Sequence, residues 1–523
     1  MGKGKGRPDM LWRVEKWLLA GVALLALSLR IWGIGTGLPY LYHPDEAGKV
    51  RIAQRMLKTG DLNPHYFLKP GLFIYLNALA YVPYYLTGRL LGIFQQPNDV
   101  PYPTVLAMGV GKTSMRTTFL LGRVLSACFG VGAVAMVYLA GRQLAKKGPT
   151  RLLAALMMAI SPASVLNSRY IHPDPQVVFF VVLSLWLSLR LLERGKTWDY
   201  VLAGLATGLA ASSKYNGALV FVAICAAHLL RSGWKGLTEG KLYLALGSSA
   251  VALLATNPFA LLNLREFLAA VVAEARHYAT GHSGMEGNTL RFYLTWLWEF
   301  EGPLCLLAVC QIIRGTRLRS KQHLLLSSFP VIYFAIVSSF TVRNDRTLLP
   351  ILPFLFLLAS GLLVNLSERV GSLRPKMRNW SVLGLLALTV LCLSWPLAQT
   401  VKNNIALSSV DSRATSAVWI DRNLPEDARI AIESYAPYVD PERFSVQGFG
   451  KLIDHPPGWY VANGFDYLIF GESMFGRFYA EPDRYSEQVS RYDELFRTFE
   501  VVKTFTDGGY EVRIYRVSEQ PKD

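Results

Sequence analysis

Carboxylates, imidazoles and cations gather in three short stretches of an otherwise apolar chain. They are His43-Pro44-Asp45-Glu46 with Lys69-Pro70 downstream, Arg169-Tyr170-Ile171-His172-Pro173-Asp174, and Arg343-Asn344-Asp345-Arg346. A carboxylate such as Asp45, Glu46 or Asp174 can take a proton from an attacking hydroxyl. Lys69, Arg343 and Arg346 can hold a phosphate, the arginines through paired parallel hydrogen bonds. Brought to one membrane face, this set suits group transfer on a charged, lipid-linked substrate. Each residue also has a structural reading. Asp45 and Asp174 both stand where helices start and would serve as caps. Lys69 would snorkel at an interface, and Asp345 would pair with a neighbouring arginine. The two His-Pro-Asp triplets offer Asp45, His172 and Asp174 as ligands for a divalent metal, the one candidate cofactor, although no fixed spacing enforces it. Lys214-Tyr215 and the glycine-rich stretch from Glu274 to Gly287, with His277, His282 and Glu286, are further candidates for substrate contact, the latter as a closing lid or a plain connecting loop.

The elements that must position these residues are membrane spans. The 523-residue chain is 52% hydrophobic and only 17% charged, which excludes an ordinary soluble protein. Its formal net charge of +17 sits in short basic clusters between apolar runs, where it sets orientation; no nucleic-acid motif accompanies it. The five cysteines all lie inside apolar segments and read as small hydrophobes. Twelve apolar runs approach the length that a ~30 Å core requires. If Gly71–Phe94, which contains Pro83, is interfacial or re-entrant, every basic cluster falls on the cytoplasmic side. That gives about eleven spans with the N-terminus inside and all the polar clusters outside. The first outer loop then runs from about Gly35 to Arg116, with Asp45–Leu57 as a helix along the membrane surface.

After Leu397 the composition becomes that of a soluble region. Helices are expected at Asp411–Asn423 and Pro482–Phe496. Strands are expected at Arg429–Glu433, Asp466–Phe470, Val501–Phe505 and Tyr510–Val517. The expected division is a membrane domain over 1–400 and an extracytoplasmic α/β domain over 401–523. Gly109-Val110-Gly111-Lys112-Thr113 imitates the end of a phosphate-binding loop, but Leu106 stands where its first glycine should be, so it is set aside.

In order along the chain stand YHPDEA, KTGDLNPHYFLKPGLFIYLNALAY, GRVLSACFGVGAVAMVYLAGR, SRYIHPDPQVVFF, ATGLAASSKYNGALVF and RNDRTLLPILPFLFLLA. This series resembles the GT-C membrane glycosyltransferases, in particular the bacterial relatives of protein O-mannosyltransferases and lipid A aminoarabinose transferase. The resemblance implies a polyprenyl-phosphate sugar donor and an acceptor protein, lipid or glycan at the outer face of a bacterial-type inner membrane. It implies that Asp45 is the catalytic acidic position with Glu46 beside it, and that Lys69 contacts the donor phosphate. Asp174 falls at the second acidic position, and Arg343 or Arg346 would assist the phosphate. Members differ in metal dependence, so a divalent ion stays open.

The chemistry is coherent on its own terms. Asp45 would act as general base toward an acceptor hydroxyl, and the lipid phosphate would leave as a stable anion held by cations, with inversion at the sugar carbon. A transporter or flippase of a lipid-linked saccharide is the competing reading, and a receptor with a ligand-binding soluble domain is a third. A transporter predicts internal repeats and charges near the bilayer midplane; here no repeat is evident and the charges sit at one edge.

Overall fold

A computed structural model of the chain describes residues 7–144, 149–281, 284–373 and 378–518. The chain up to Ser408 is almost wholly helical: α1 (Arg7–Ile31), α2 (Glu46–Thr59), α3 (Leu72–Leu90), a hairpin of β1 (Thr104–Ala107) and β2 (Val110–Lys112), α4 (Arg116–Leu144), α5 (Thr150–Ile160), α6 (Pro162–Asn167), α7 (Asp174–Arg194) and α8 (Thr197–Ser213). It continues through α9 (Phe221–Ser232), α10 (Gly240–Ala255), α11 (Phe259–Leu262), α12 (Leu264–Thr280), α13 (Thr289–Glu301), α14 (Pro303–Arg317), α15 (Lys321–Ser338), α16 (Leu352–Leu373) and α17 (Arg378–Ser408). Among the described residues, Arg116–Leu144, Asp174–Arg194, Tyr215–Ser232 and Asp345–Arg369 are long and apolar enough to cross a bilayer, and the pair α13–α14, bent by 114°, would make a fifth. Most of the other expected runs are also helical, including Gly71–Phe94, which forms α3 with Pro83 inside it.

Within this bundle α4, α7, α8 and α10 pack in series. The contact between α8 and α10 depends on Gly204 and Gly208, four residues apart on one face. A Cβ at either would lie 2.2 Å from a backbone oxygen of α10, so only glycine lets the two backbones meet. The core of the bundle is one continuous apolar cluster drawn from α1 and from helices between α4 and α17.

The C-terminal region carries α18 (Ser412–Asn423), β3 (Arg429–Glu433), β4 (Ser445–Phe449), α19 (Pro457–Ala462), β5 (Tyr467–Gly471), α20 (Glu472–Tyr479), α21 (Ser486–Thr498), β6 (Glu500–Phe505) and β7 (Val512–Arg516). Its strands form one sheet in the order β4-β3-β5-β7-β6, with β3 parallel to β4 and β5, and β7 antiparallel to β5 and β6. Sequence periodicity missed β4, whose alternation is broken by Gly448, and the short helices α19 and α20. The discarded glycine-rich stretch at 109–113 is the turn and second strand of the β1–β2 hairpin. Gly109 takes a positive φ of 69° at that turn. The hairpin joins the two parts of the chain: Leu41 N–H donates to Gly111 O at 2.9 Å, and Tyr435 N–H donates to Met108 O at 2.8 Å.

Candidate active site

The three polar stretches meet at one end of the bundle. Asp45 stands at the N-cap position of α2, yet its side chain makes no cap hydrogen bond. Its Oδ2 instead faces His172 Nε2 at 2.8 Å and accepts from Arg346 Nη1 at 2.9 Å. Residues that are 127 and 301 positions apart in sequence thus share one carboxylate oxygen. Arg346 is aimed by the turn that precedes α16, where the Asn344 side chain accepts from the Arg346 backbone N–H at 3.0 Å. The Asp45 side chain keeps 39% of its surface exposed, and its Oδ1 has no hydrogen-bond partner among the described residues. That oxygen is free to receive a proton.

Behind this centre lies a second, covered layer. Asp174 begins α7, with Pro173 and Pro175 fixing the first turn and the carboxylate complementing the helix N-terminus. It is fully buried between His172 Nδ1 and Lys214 Nζ, the latter at 2.9 Å. Asp174 therefore orients the imidazole, and Lys214 pairs with Asp174. With Nδ1–H directed at Asp174, the Nε2 lone pair of His172 and Oδ2 of Asp45 both point at one cationic donor, Arg346. Lys49, one turn into α2, donates to the Asp45 backbone oxygen at 2.8 Å.

The electrostatics follow from this cage. Burial works to raise the Asp45 pKa, but the cationic Lys49 and Arg346 outweigh it and hold the carboxyl below the usual range. Burial, then Arg346 and Lys49, lower His172 and favour the neutral imidazole. Burial lowers Lys49 to about 8, against the pull of Asp45. His43 packs against Tyr170, with ring centroids 4.4 Å apart and the planes tilted by 32°, and burial followed by the nearby His172 holds it neutral. His43, Asp45 and His172 present ligand atoms within 4.8 Å of one another, a donor set that fits a divalent cation. His43 takes the place that Asp174 had among the expected ligands, because Asp174 is turned to Lys214. The point on which Asp45 and His172 converge is held by the Arg346 guanidinium, so a metal there would have to displace it.

Several expected roles divide differently in space. Glu46 is adjacent to Asp45 in sequence but points the opposite way, because α2 begins between them. It is 0% exposed and takes Arg123 Nε and Nη2 at 2.9 and 2.7 Å, together with the Ile171 N–H at 2.9 Å. Its lone pairs hold α4 and the 169–173 loop, away from the open oxygen of Asp45. Arg343 parts from Arg346: its Nη2 pairs with Glu481 of the C-terminal region at 2.5 Å, away from Asp45. Lys69 is ion-paired with Glu274 of α12. Tyr215 donates its hydroxyl to Phe67 O at 2.8 Å. Lys69 and Tyr215 both line a largely apolar cavity of about 100 Å³ whose walls include Phe67, Tyr75, Leu254 and Phe267. His277 lies on an exposed side of α12, and His282 lies outside the described residues. Sequence reasoning passed over Lys49 and Arg123. Arg123 did carry a signal, as a lone cation inside the apolar run Thr117–Leu139.

Residues 101–271 match the model of the dolichyl-phosphate-mannose-protein mannosyltransferase family. An uncharacterized protein of Aquifex aeolicus (strain VF5) is 26% identical over 207 residues, which are 38% of this chain and 34% of that protein. The chain thus matches only about a third of that relative's length. Among solved structures, the archaeal oligosaccharyltransferase AglB of Archaeoglobus fulgidus, in complex with an inhibitory peptide and a dolichol-phosphate, superposes with a TM-score of 0.58. That likeness is at 13% identity, over 98% of this chain and 75% of that one. ArnT of Cupriavidus metallidurans, bound to undecaprenyl phosphate, superposes with a TM-score of 0.53 at 16% identity, over 96% of this chain and 98% of that one. The chain is a multi-pass membrane protein that shares the fold of AglB and ArnT.

Proposed function

We propose that this protein is a glycosyltransferase that moves a sugar from a polyprenyl-phosphate donor to an acceptor hydroxyl, with inversion at the sugar carbon. The observation that carries the reading is the half-exposed Asp45, gripped through one oxygen by His172 and Arg346 while the other oxygen stays open. Support for the donor class comes from the phosphate-suited Lys69 at the wall of an apolar cavity, and from the lipid phosphates bound by AglB and ArnT. The site opens on the membrane face opposite the N-terminus. The sheet-bearing region from about residue 401 lies on that same face as a separate domain.

In this reading Asp45 Oδ1 takes the proton of the acceptor hydroxyl as that oxygen attacks the anomeric carbon. The bond from that carbon to the phosphate oxygen breaks, and the lipid phosphate leaves as an anion stabilised by Lys69 and Arg346. Asp45 alone is a weak base, because Lys49 and Arg346 stabilise its charge. A donor phosphate that shares Arg346 draws part of that stabilisation away and strengthens the base when the donor is in place. Arg346 supplies the cation that a divalent ion would otherwise bring to Asp45 and His172. Asp174 and Lys214 keep His172 in its tautomer, and Glu46 with Arg123 fixes the loop that carries it.

The transporter reading is less favoured, because the charged residues collect at one end of the helices. Sugar transfer from polyprenyl-phosphate mannose and other polyprenyl-phosphate sugars in detergent tests the proposal, with Asp45→Asn and Lys69→Ala as comparisons. Turnover that survives Asp45→Asn overturns the assignment of the base. Failure of wild type with every such donor overturns the activity.

A further inference from the structure

The lysine assigned to the donor phosphate already has an anionic partner. Glu274, on the protein-facing side of α12, pairs with Lys69 across 205 residues of sequence, and both side chains are largely covered. Among the described residues no second acid pairs with Lys69, and α12 delivers its partner. The helix buries no residue fully. Phe267, Val271, Glu274 and Tyr278 are half-buried toward the protein, while Leu264, Leu268 and Val272 form an exposed apolar stripe on the outer side. Phe267 meets Phe67 and Tyr215 at the cavity that Lys69 lines. The helix is tied at its two ends, where Asn63 donates to the Asn263 side chain at 3.1 Å and Thr341 N–H donates to Tyr278 O at 3.0 Å. Its middle rests on the protein through the Glu274–Lys69 pair and a few aromatic contacts.

The charge change in the transfer reaction gives this pair a purpose. A polyprenyl-phosphate sugar is a phosphodiester with a single negative charge. Once the sugar has left, the lipid is a phosphomonoester whose charge at neutral pH is about −1.5 to −2. Lys69 alone would therefore hold the product more tightly than the substrate, and the enzyme would be poisoned by its own leaving group. We infer that Glu274 is a product-release residue: it competes for Lys69, exchanging with the lipid phosphate and returning to the lysine as the spent lipid departs. The exchange forms one ion pair as it breaks another, so Lys69 is never left as an unpaired, partly dehydrated cation. The inference rests on the polyprenyl-phosphate reading and adds to it the residue that clears the site.

The test is product inhibition. Undecaprenyl phosphate is titrated into the transfer reaction in detergent for wild type and Glu274→Gln, and its equilibrium binding to each is measured in parallel. The expected result is a Ki and a Kd about three- to tenfold lower in Glu274→Gln, with a smaller change in donor KM and a lower kcat. In a Lys69→Met background the Glu274→Gln change should leave the Kd unmoved. Glu274→Gln with Ki, Kd and KM all at wild-type values overturns the inference. So does an equal change in Ki and KM, which a merely structural role for α12 would produce. If wild type neither turns over polyprenyl-phosphate sugars nor binds undecaprenyl phosphate, the functional reading falls and takes this one with it.

Discussion

Glutamine at position 46 separates the roles of two adjacent carboxylates. Glu46 is sealed from solvent, and its partner Arg123 is 3% exposed, so neither charge can recover its solvation if the other is removed. In the Glu46→Gln variant Arg123 keeps only the carbonyls of Ile34 and Thr36 as acceptors, at 2.7 and 2.9 Å. A carboxamide can replace one of the two lost charge-assisted bonds but none of the charge. Breaking a buried pair in this way costs about 3–5 kcal/mol. Arg123→Met should cost a similar amount, since it strands Glu46 with the Ile171 N–H alone. The double variant Glu46→Gln, Arg123→Met should be less damaged than the sum of the singles, because no uncompensated charge is left. The assay is thermal unfolding in detergent at one fixed scan rate, since unfolding of such a protein is commonly irreversible, with transfer activity measured alongside. A Glu46→Gln protein with wild-type unfolding temperature and no turnover would refute the reasoning and return Glu46 to the chemistry.

Asp45→Asn, in contrast, should leave the unfolding temperature within a few degrees of wild type while lowering kcat about 10²–10⁴-fold, the range for loss of a general base; retained turnover is the adverse result. Chelation with EDTA should leave activity in place, because Arg346 provides the cation at Asp45 and His172; abolition of activity by EDTA and recovery with a divalent ion would show that a metal displaces the guanidinium. Glu433 of β3 is fully buried, and burial pushes its pKa up to about 8 against the hydrogen bonds from Gly471 and Tyr492. The folded state thus holds a proton that the unfolded chain releases near the ordinary glutamate value, so this group's stability is complete below about pH 4.5 and is lost as pH rises toward 8. Glu433→Gln should flatten the dependence of unfolding temperature on pH across that window and raise it at pH 8; an unchanged slope would refute the assignment. Lys69→Ala should raise donor KM with a smaller effect on stability, read from initial rates over a range of donor concentrations.

How much of this was legible in the chain depends on the range of the interactions involved. Long apolar runs, basic loops and the switch to mixed composition after Leu397 are local properties, and they were enough for a helical membrane protein with a sheet-bearing C-terminal region. The same is true of α18, which Asp411 caps, and of the β-branched runs β3 and β7, whereas Gly448 hid β4. The motifs around Asp45, Lys69, Asp174 and Arg346 pointed to the candidate site because unusual polar residues in apolar surroundings stand out one at a time. Their division of labour could not be read that way. Asp45 and Glu46 are neighbours in sequence, but α2 starts between them, sending one to His172 and Arg346 and the other to Arg123. Arg343 and Arg346 share a turn, yet one reaches Glu481 and the other Asp45. Lys69 looked like a free phosphate ligand until the fold brought Glu274 to it. The sequence by itself determined which side chains were available and on which class of scaffold. Only the tertiary structure decided their partners, because a charged group's role is set by what shares its desolvated site, and those partners come from distant parts of the chain.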